Sequence, residues 1–148
     1  MRVEDQLCFA LYAASRAITG RYRPLLEPLG LTYPQYLVLL ALWERATPVP
    51  VKDLGSALQL DYGTLTPLLK RLGEAGLVER RRGQADERTV LIELTNAGRQ
   101  LEDRARGIPC SIEHAMGLDR VEFDAAMNLV RTLTRHVHAG EDATADHR

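Results

Sequence analysis

Residues 51–94 constrain the fold more than any other stretch of this chain. Val51, Leu54 and Leu58 recur at helical spacing, and Leu65, Leu68, Leu69 and Leu72 recur at i, i+3, i+4 and i+7. Leu60-Asp61-Tyr62-Gly63 separates the two patterns, with Asp61 or Gly63 near the cap of the second. Pro67 argues for a later start of that helix, because proline is cheap only in a first turn. Gly76 stops it. Residues 77–82 and 89–94 then read as strands around the polar loop 83–88, which makes a hairpin.

Longer helices lie on both sides. Leu7, Leu11, Ala14, Ile18 and Leu25 predict a helix from about Glu4 to Leu26, and Gly30 marks its end. Thr32-Tyr33-Pro34-Gln35 has capping-box spacing and opens a second helix that reaches Arg45. Thr47-Pro48-Val49-Pro50 breaks the chain. After the hairpin, Thr95 caps a helix carrying Ala97, Leu101, Ala105, Ile108 and Ile112, which Pro109 should kink or end. The last helix runs from about Asp119 to His138, with Phe123, Met127, Val130, Leu133 and Val137 on one face.

Short helices followed by a two-stranded hairpin make the winged helix-turn-helix arrangement. The expected fold is mainly α with a small β-hairpin wing. The winged helix-turn-helix occupies 30–94 and is flanked by N- and C-terminal dimerisation helices, 1–28 and 95–138. Residues 1–138 form one domain, and the small, polar segment 139–148 is a flexible tail. Terminal helices with apolar faces and nothing to cover in their own chain usually cover a twin, so a homodimer is expected.

The chain has 148 residues and a formal net charge of -1, and its whole-chain charge gives no sign of nucleic acid. The local balance does. Between Gly63 and Arg82 there are five basic residues (Lys70, Arg71, Arg80, Arg81, Arg82) against two acidic ones (Glu74, Glu79). With its leucines turned inward, the helix after Gly63 exposes Thr64, Thr66, Pro67, Lys70 and Arg71. Hydroxyls at its start can reach base edges or phosphates, and the helix terminus favours phosphate. Arg82 and Arg88 extend the basic surface along the wing. An arginine there suits the minor groove, where the potential is most negative. Asp86 serves as a turn residue or as the ion-pair partner of Arg88. Charge alone would fit a solvated hairpin equally well. The leucine-spaced helix directly before it favours double-stranded DNA with a pseudo-palindromic operator.

No apolar run approaches the ~20 residues of a membrane span. The start Met1-Arg2-Val3-Glu4-Asp5 lacks the pattern of a signal peptide. A cytoplasmic protein with no membrane partner is therefore expected. The four histidines have no zinc-ligand spacing, and no phosphate loop or catalytic triad ordering is present. No metal, no cofactor and no enzymatic activity are expected.

Two cysteines, Cys8 and Cys110, are too few for a disulfide scaffold. Cys8 lies in the first turns of a helix, where the terminus favours a thiolate. Cys8, Tyr12, Ser15, Thr19 and Tyr22 fall on one face as a polar stripe. Tyr22 lies about 21 Å beyond Cys8 along a straight helix. It can meet Cys8 only across an antiparallel dimer. A lone cysteine is more commonly a small buried residue, and tyrosines at such places also serve simply as interface packing.

Several segments together resemble one family. They are Leu54-(x)-(x)-Ala57-Leu58, residues 61–72, Gly76-Leu77-Val78, Asp86-Glu87-Arg88 and Leu94-Thr95. They resemble the multiple-antibiotic-resistance regulator (MarR) family over about residues 4–138. Residues 6–12, 22–26 and 31–36 are similar to its organic-hydroperoxide-resistance branch. The resemblance implies a repressor in which Cys8 senses organic hydroperoxide, Tyr22 and Tyr33 bond to it, and Cys110 captures the oxidised thiol across the dimer so that DNA is released. Tyr12 is counted with the supporting tyrosines. Tyr62 departs from the small polar residue expected at its place. Two other inputs stay open: a non-covalent phenolic ligand with the same DNA binding, and, ranked last, a thiol peroxidase.

Overall fold

The computed structural model describes residues 2–45, 47–83 and 88–145, with side chains as far as 139. It divides into two units, Met1–Ile112 and Glu113–Arg148.

The first unit opens with a 3-10 turn at Val3–Asp5, followed by α1 (Leu7–Leu26), so the long helix starts later than Glu4. Another 3-10 turn ends on Gly30, whose φ of 68° is a left-handed conformation that glycine adopts without strain. α2 (Tyr33–Trp43) begins as its sequence pattern requires. The Thr32 amide donates to Gln35 Oε1 at 2.8 Å, and the Thr32 hydroxyl donates to the same oxygen at 3.0 Å.

Val49–Pro50 is not merely a break. It forms a short strand, β1, which pairs antiparallel with the second hairpin strand, Val49 opposite Ile92. A proline fits there because β1 is an edge strand. α3 (Val51–Leu58) follows, and Gln59 turns the chain through a left-handed φ of 54°. α4 (Tyr62–Glu74) starts earlier than Pro67 argued. Asp61 fixes that start by accepting from the Thr64 amide at 2.7 Å, which places Pro67 inside the helix. The carbonyl left without an amide partner is that of Gly63, an exposed residue, so water can satisfy it.

β2 (Val78–Arg82) and β3 (Val90–Leu94) form the hairpin, and the sheet order is β1-β3-β2. Leu39, Leu54, Leu65, Leu69, Leu72 and Ile92 are almost wholly buried and join α2, α3, α4 and β3 in one core. α5 (Asn96–Ala105) starts from Thr95, whose hydroxyl accepts from the Gly98 amide at 3.1 Å and donates to the Gly76 carbonyl at 2.6 Å. A Cβ at Gly98 would stand 2.1 Å from the Leu77 carbonyl oxygen. Only glycine lets α5 approach the hairpin base this closely. Trp43 Nε1 donates to the Gly98 carbonyl at 2.9 Å and ties α2 to the same point.

The helix expected from Thr95 through Ile112 is two helices, α5 and α6 (Ile108–Met116). Pro109 takes the second position of α6, where its missing amide costs nothing, and the chain breaks just before it. In the second unit, α7 spans Arg120–Ala145. The helix therefore continues through much of the expected tail. Alanines and Glu141 favour helix there, and Gly140 costs only about 1 kcal/mol.

Candidate functional site

The α4 surface presents Thr64, Pro67, Lys70 and Arg71 as exposed residues, with Thr66 half-buried. The two hydroxyls expected to reach DNA are turned onto their own helix. Thr64 Oγ1 donates to Asp61 Oδ2 at 2.9 Å, and Thr66 Oγ1 donates to the Tyr62 carbonyl at 2.8 Å. Each hydroxyl has a single proton, so in this geometry both offer only acceptor lone pairs to an outside partner. Hydrogen bonds from the Thr64 amide and hydroxyl hold the Asp61 carboxyl below its ordinary range. Lys70 lies 3.9 Å from Glu74, an exposed pair that restrains it weakly.

The wing arginines divide by role. Glu79 and Glu93 face each other across β2 and β3, a like-charge pairing that would weaken the hairpin. Arg81 resolves it, at 2.8 Å from Glu79 and 3.0 Å from Glu93. Its hydrogen bond to Glu79 and the field of both carboxylates raise its already high pKa. Arg81 therefore offsets the like-charge pairing, weakly because it is itself exposed, and Arg82 at the end of β2 and Arg88 beyond the loop are exposed too. Asp86 lies outside the described residues.

Cys8 and Cys110 are free and exposed. Cys8 occupies the second position of α1 and Cys110 the third of α6. Around Cys8 the helix shows water much apolar surface: Leu7 is 59% exposed, and Phe9, Leu11 and Tyr12 are exposed as well. The polar stripe is only partly available. Thr19 Oγ1 donates back to the Ser15 carbonyl at 2.7 Å, and the Tyr12 hydroxyl accepts from Arg16 at 3.4 Å. At the far end of α1, Tyr22 stacks on Tyr33 with ring centroids 4.5 Å apart.

That pair belongs to a longer aromatic row absent from the sequence reading. Tyr36 lies 5.8 Å from Tyr22, and Trp43 lies 6.1 Å from Tyr36. The signal was present, since Tyr36 and Trp43 are two helical turns apart and share a face of α2. Burial pushes the Tyr33 phenol above its ordinary value. It does the same for Tyr36, with a further contribution from Tyr33. Both remain hydrogen-bond donors throughout the physiological range. A recess of about 470 Å³ adjoins the pair, lined by residues including Thr19, Arg23, Leu31 and Tyr33.

No single helix among the described residues is long and apolar enough to cross a membrane. Among the same residues, no three His, Cys, Asp or Glu side chains come together as a metal-ligand group.

Residues 21–105 match the model of the transcriptional regulator SarA/Rot family. The chain is 54% identical over 112 residues to an organic hydroperoxide resistance transcriptional regulator of Bacillus subtilis, covering 76% of each chain. It is 45% identical over 142 residues to the HTH-type transcriptional regulator TtmR of Methylorubrum extorquens, covering 96% of this chain and 72% of that one. Among solved structures it resembles reduced AbfR bound to DNA, with a TM-score of 0.77, 37% identity and coverage of 93% and 95%. AbfR is a protein of Staphylococcus epidermidis. Its disulfide form matches at a TM-score of 0.64 with 39% identity, over 90% and 93%. With 54% identity over 76% of the first of these relatives and 45% over most of this chain for the second, the chain belongs to the MarR-type winged-helix, DNA-binding transcriptional regulators of the organic hydroperoxide resistance group.

Proposed function

We propose that this regulator is a homodimeric repressor that senses organic hydroperoxide through Cys8 and is not an enzyme. One observation carries the reading. A free, exposed thiol sits in the first turn of a helix whose apolar side chains are largely exposed in the single chain. The α7 side chains Val121, Leu129 and Val137 are also exposed, Val121 at 77%. A second copy that covers these surfaces would enclose Cys8 at a dimer interface and bring up the partner's Tyr22 and Tyr33 as phenol donors.

The chemistry balances as follows. The Cys8 thiolate attacks the hydroperoxide, an S–O bond forms, the O–O bond breaks, and the alcohol departs after taking a proton. Sulfur loses two electrons and the peroxide gains them. The Cys110 thiolate of the second copy then displaces hydroxide from the sulfenic acid. An S–S bond forms and hydroxide leaves as water. Oxidation weakens operator binding because α4 of each copy is the recognition helix that enters the major groove, and the disulfide favours an arrangement of the two that does not fit successive half-sites. The similarity to AbfR, solved in reduced, DNA-bound and disulfide forms, supports this cycle.

The test is operator binding by wild type, Cys8→Ser and Cys110→Ser, before and after one equivalent of an organic hydroperoxide, with non-reducing gels of the same samples. The expected result is DNA release with an interchain disulfide in wild type only. Release by Cys8→Ser would overturn the proposal. It would point instead to a non-covalent ligand, for which the recess beside Arg23 and Tyr33 is the place to look. Repeated turnover with a thiol reductant would identify a peroxidase.

A further inference from the structure

Tyr62 opens α4 and is 68% exposed, more than any other aromatic side chain among the described residues. Its ring takes part in no aromatic or cation-π contact there, and its hydroxyl in no hydrogen bond. The side chains next to it are already engaged. Thr64 spends its proton on Asp61, and Thr66 spends its own on the Tyr62 carbonyl. Phosphate oxygens only accept, so these two threonines do not donate to them in this geometry. They can accept from the amino groups of adenine or cytosine. The Tyr62 hydroxyl can do the same, but the larger part of its exposed side chain is a flat apolar ring. In the major groove, the base feature an apolar surface recognises is the 5-methyl group of thymine.

We infer that Tyr62 is an operator-selecting residue, whose ring packs on the methyl group of a thymine at one position in each half-site. The inference rests on the reading of α4 as the helix that enters the major groove. It deepens that reading by naming the base and the side chain. The ring is already presented to solvent at the start of the helix, so no packing within the subunit has to be undone to free it.

The experiment begins with selection of duplexes from a randomised library by the reduced wild-type protein. Each thymine of the selected operator is then replaced by deoxyuridine, which removes the methyl group alone. Affinities are measured for wild type, Tyr62→Phe and Tyr62→Ser. Wild type should lose roughly four-fold at one thymine per half-site, the worth of one buried methyl group. Tyr62→Phe should keep that sensitivity. Tyr62→Ser should lose it and accept other bases at the same position. A wild-type profile with no methyl-sensitive thymine overturns the inference without the need for any variant. So does a Tyr62→Ser profile that matches wild type. If no sequence is enriched by wild type, sequence-specific DNA binding fails first and this inference with it.

Discussion

Tyr22 and Tyr33 stack with centroids 4.5 Å apart and planes inclined by 43°, which fastens the end of α1 to the start of α2. α1 is continuous from Leu7 to Leu26, so Cys8 and this pair stand at opposite ends of one helix. Chemistry that joins them requires a second chain.

Complementation in mixed dimers tests that geometry. Cys8→Ser and Tyr22→Phe homodimers should each fail to oxidise at the wild-type rate. The Tyr22→Phe homodimer should be slower by roughly ten- to hundred-fold, the value of a hydrogen bond to a charged group. A mixed dimer has one intact Cys8 facing one intact Tyr22, so stopped-flow thiol consumption should show half the sites reacting at the wild-type rate. Uniformly slow reaction would place the tyrosine's influence within its own subunit.

Gly98 carries the close approach of α5 to the wing base. Gly98→Ala puts a methyl group 2.1 Å from the Leu77 carbonyl oxygen. Backbone must move to relieve it, and overpacking of this kind costs about 1–3 kcal/mol. Thermal unfolding should show a lower Tm, and hydrogen exchange should quicken first at Leu77 and Thr95. An unchanged Tm would mean that α5 shifts freely.

The wing arginines should separate in a salt titration. Arg82→Ala removes a cation from the basic face and should reduce the slope of log affinity against log salt by about 1. Arg81→Ala removes the cation that reconciles Glu79 with Glu93. It should loosen the hairpin while it leaves the slope nearly unchanged. A full unit of slope lost on Arg81→Ala would show that Arg81 leaves its carboxylates to meet phosphate.

Asp61 gives α4 an acid-sensitive start. Its folded pKa lies below the ordinary 3.8 because the Thr64 amide and hydroxyl bond the carboxylate. A lowered folded pKa means stability that is fully present above the unfolded value and lost as pH falls through the folded one. Wild-type Tm should therefore fall more steeply below pH 3.8 than that of Asp61→Asn, which keeps the cap without the titration. Parallel curves for the two proteins would remove Asp61 from the acid response.

Much of this protein was legible in order along the chain. Apolar spacing located the helices, Asp61, Thr32 and Thr95 marked three of their starts, and the runs around residues 83–88 predicted the hairpin. Such signals are local, because a helix or turn depends on residues a few positions apart. The misses were mostly non-local. β1 has only Val49 and Pro50, and it became a strand because β3 stood beside it. Pro67 argued for a late helix start, and the cap at Asp61 outweighed it.

For the candidate site, the sequence alone determined which residues carry charge, thiol and phenol, and that Tyr22 lies too far from Cys8 within one helix. The tertiary structure decided which of them remain available. It committed the protons of Thr64 and Thr66 to their own helix, placed Arg81 between two carboxylates, and joined Tyr22, Tyr33, Tyr36 and Trp43 in a row. The physical reason is that a side chain's chemistry is set by its type, while its free hydrogen-bonding and charge capacity is what remains after its neighbours in space have taken their share.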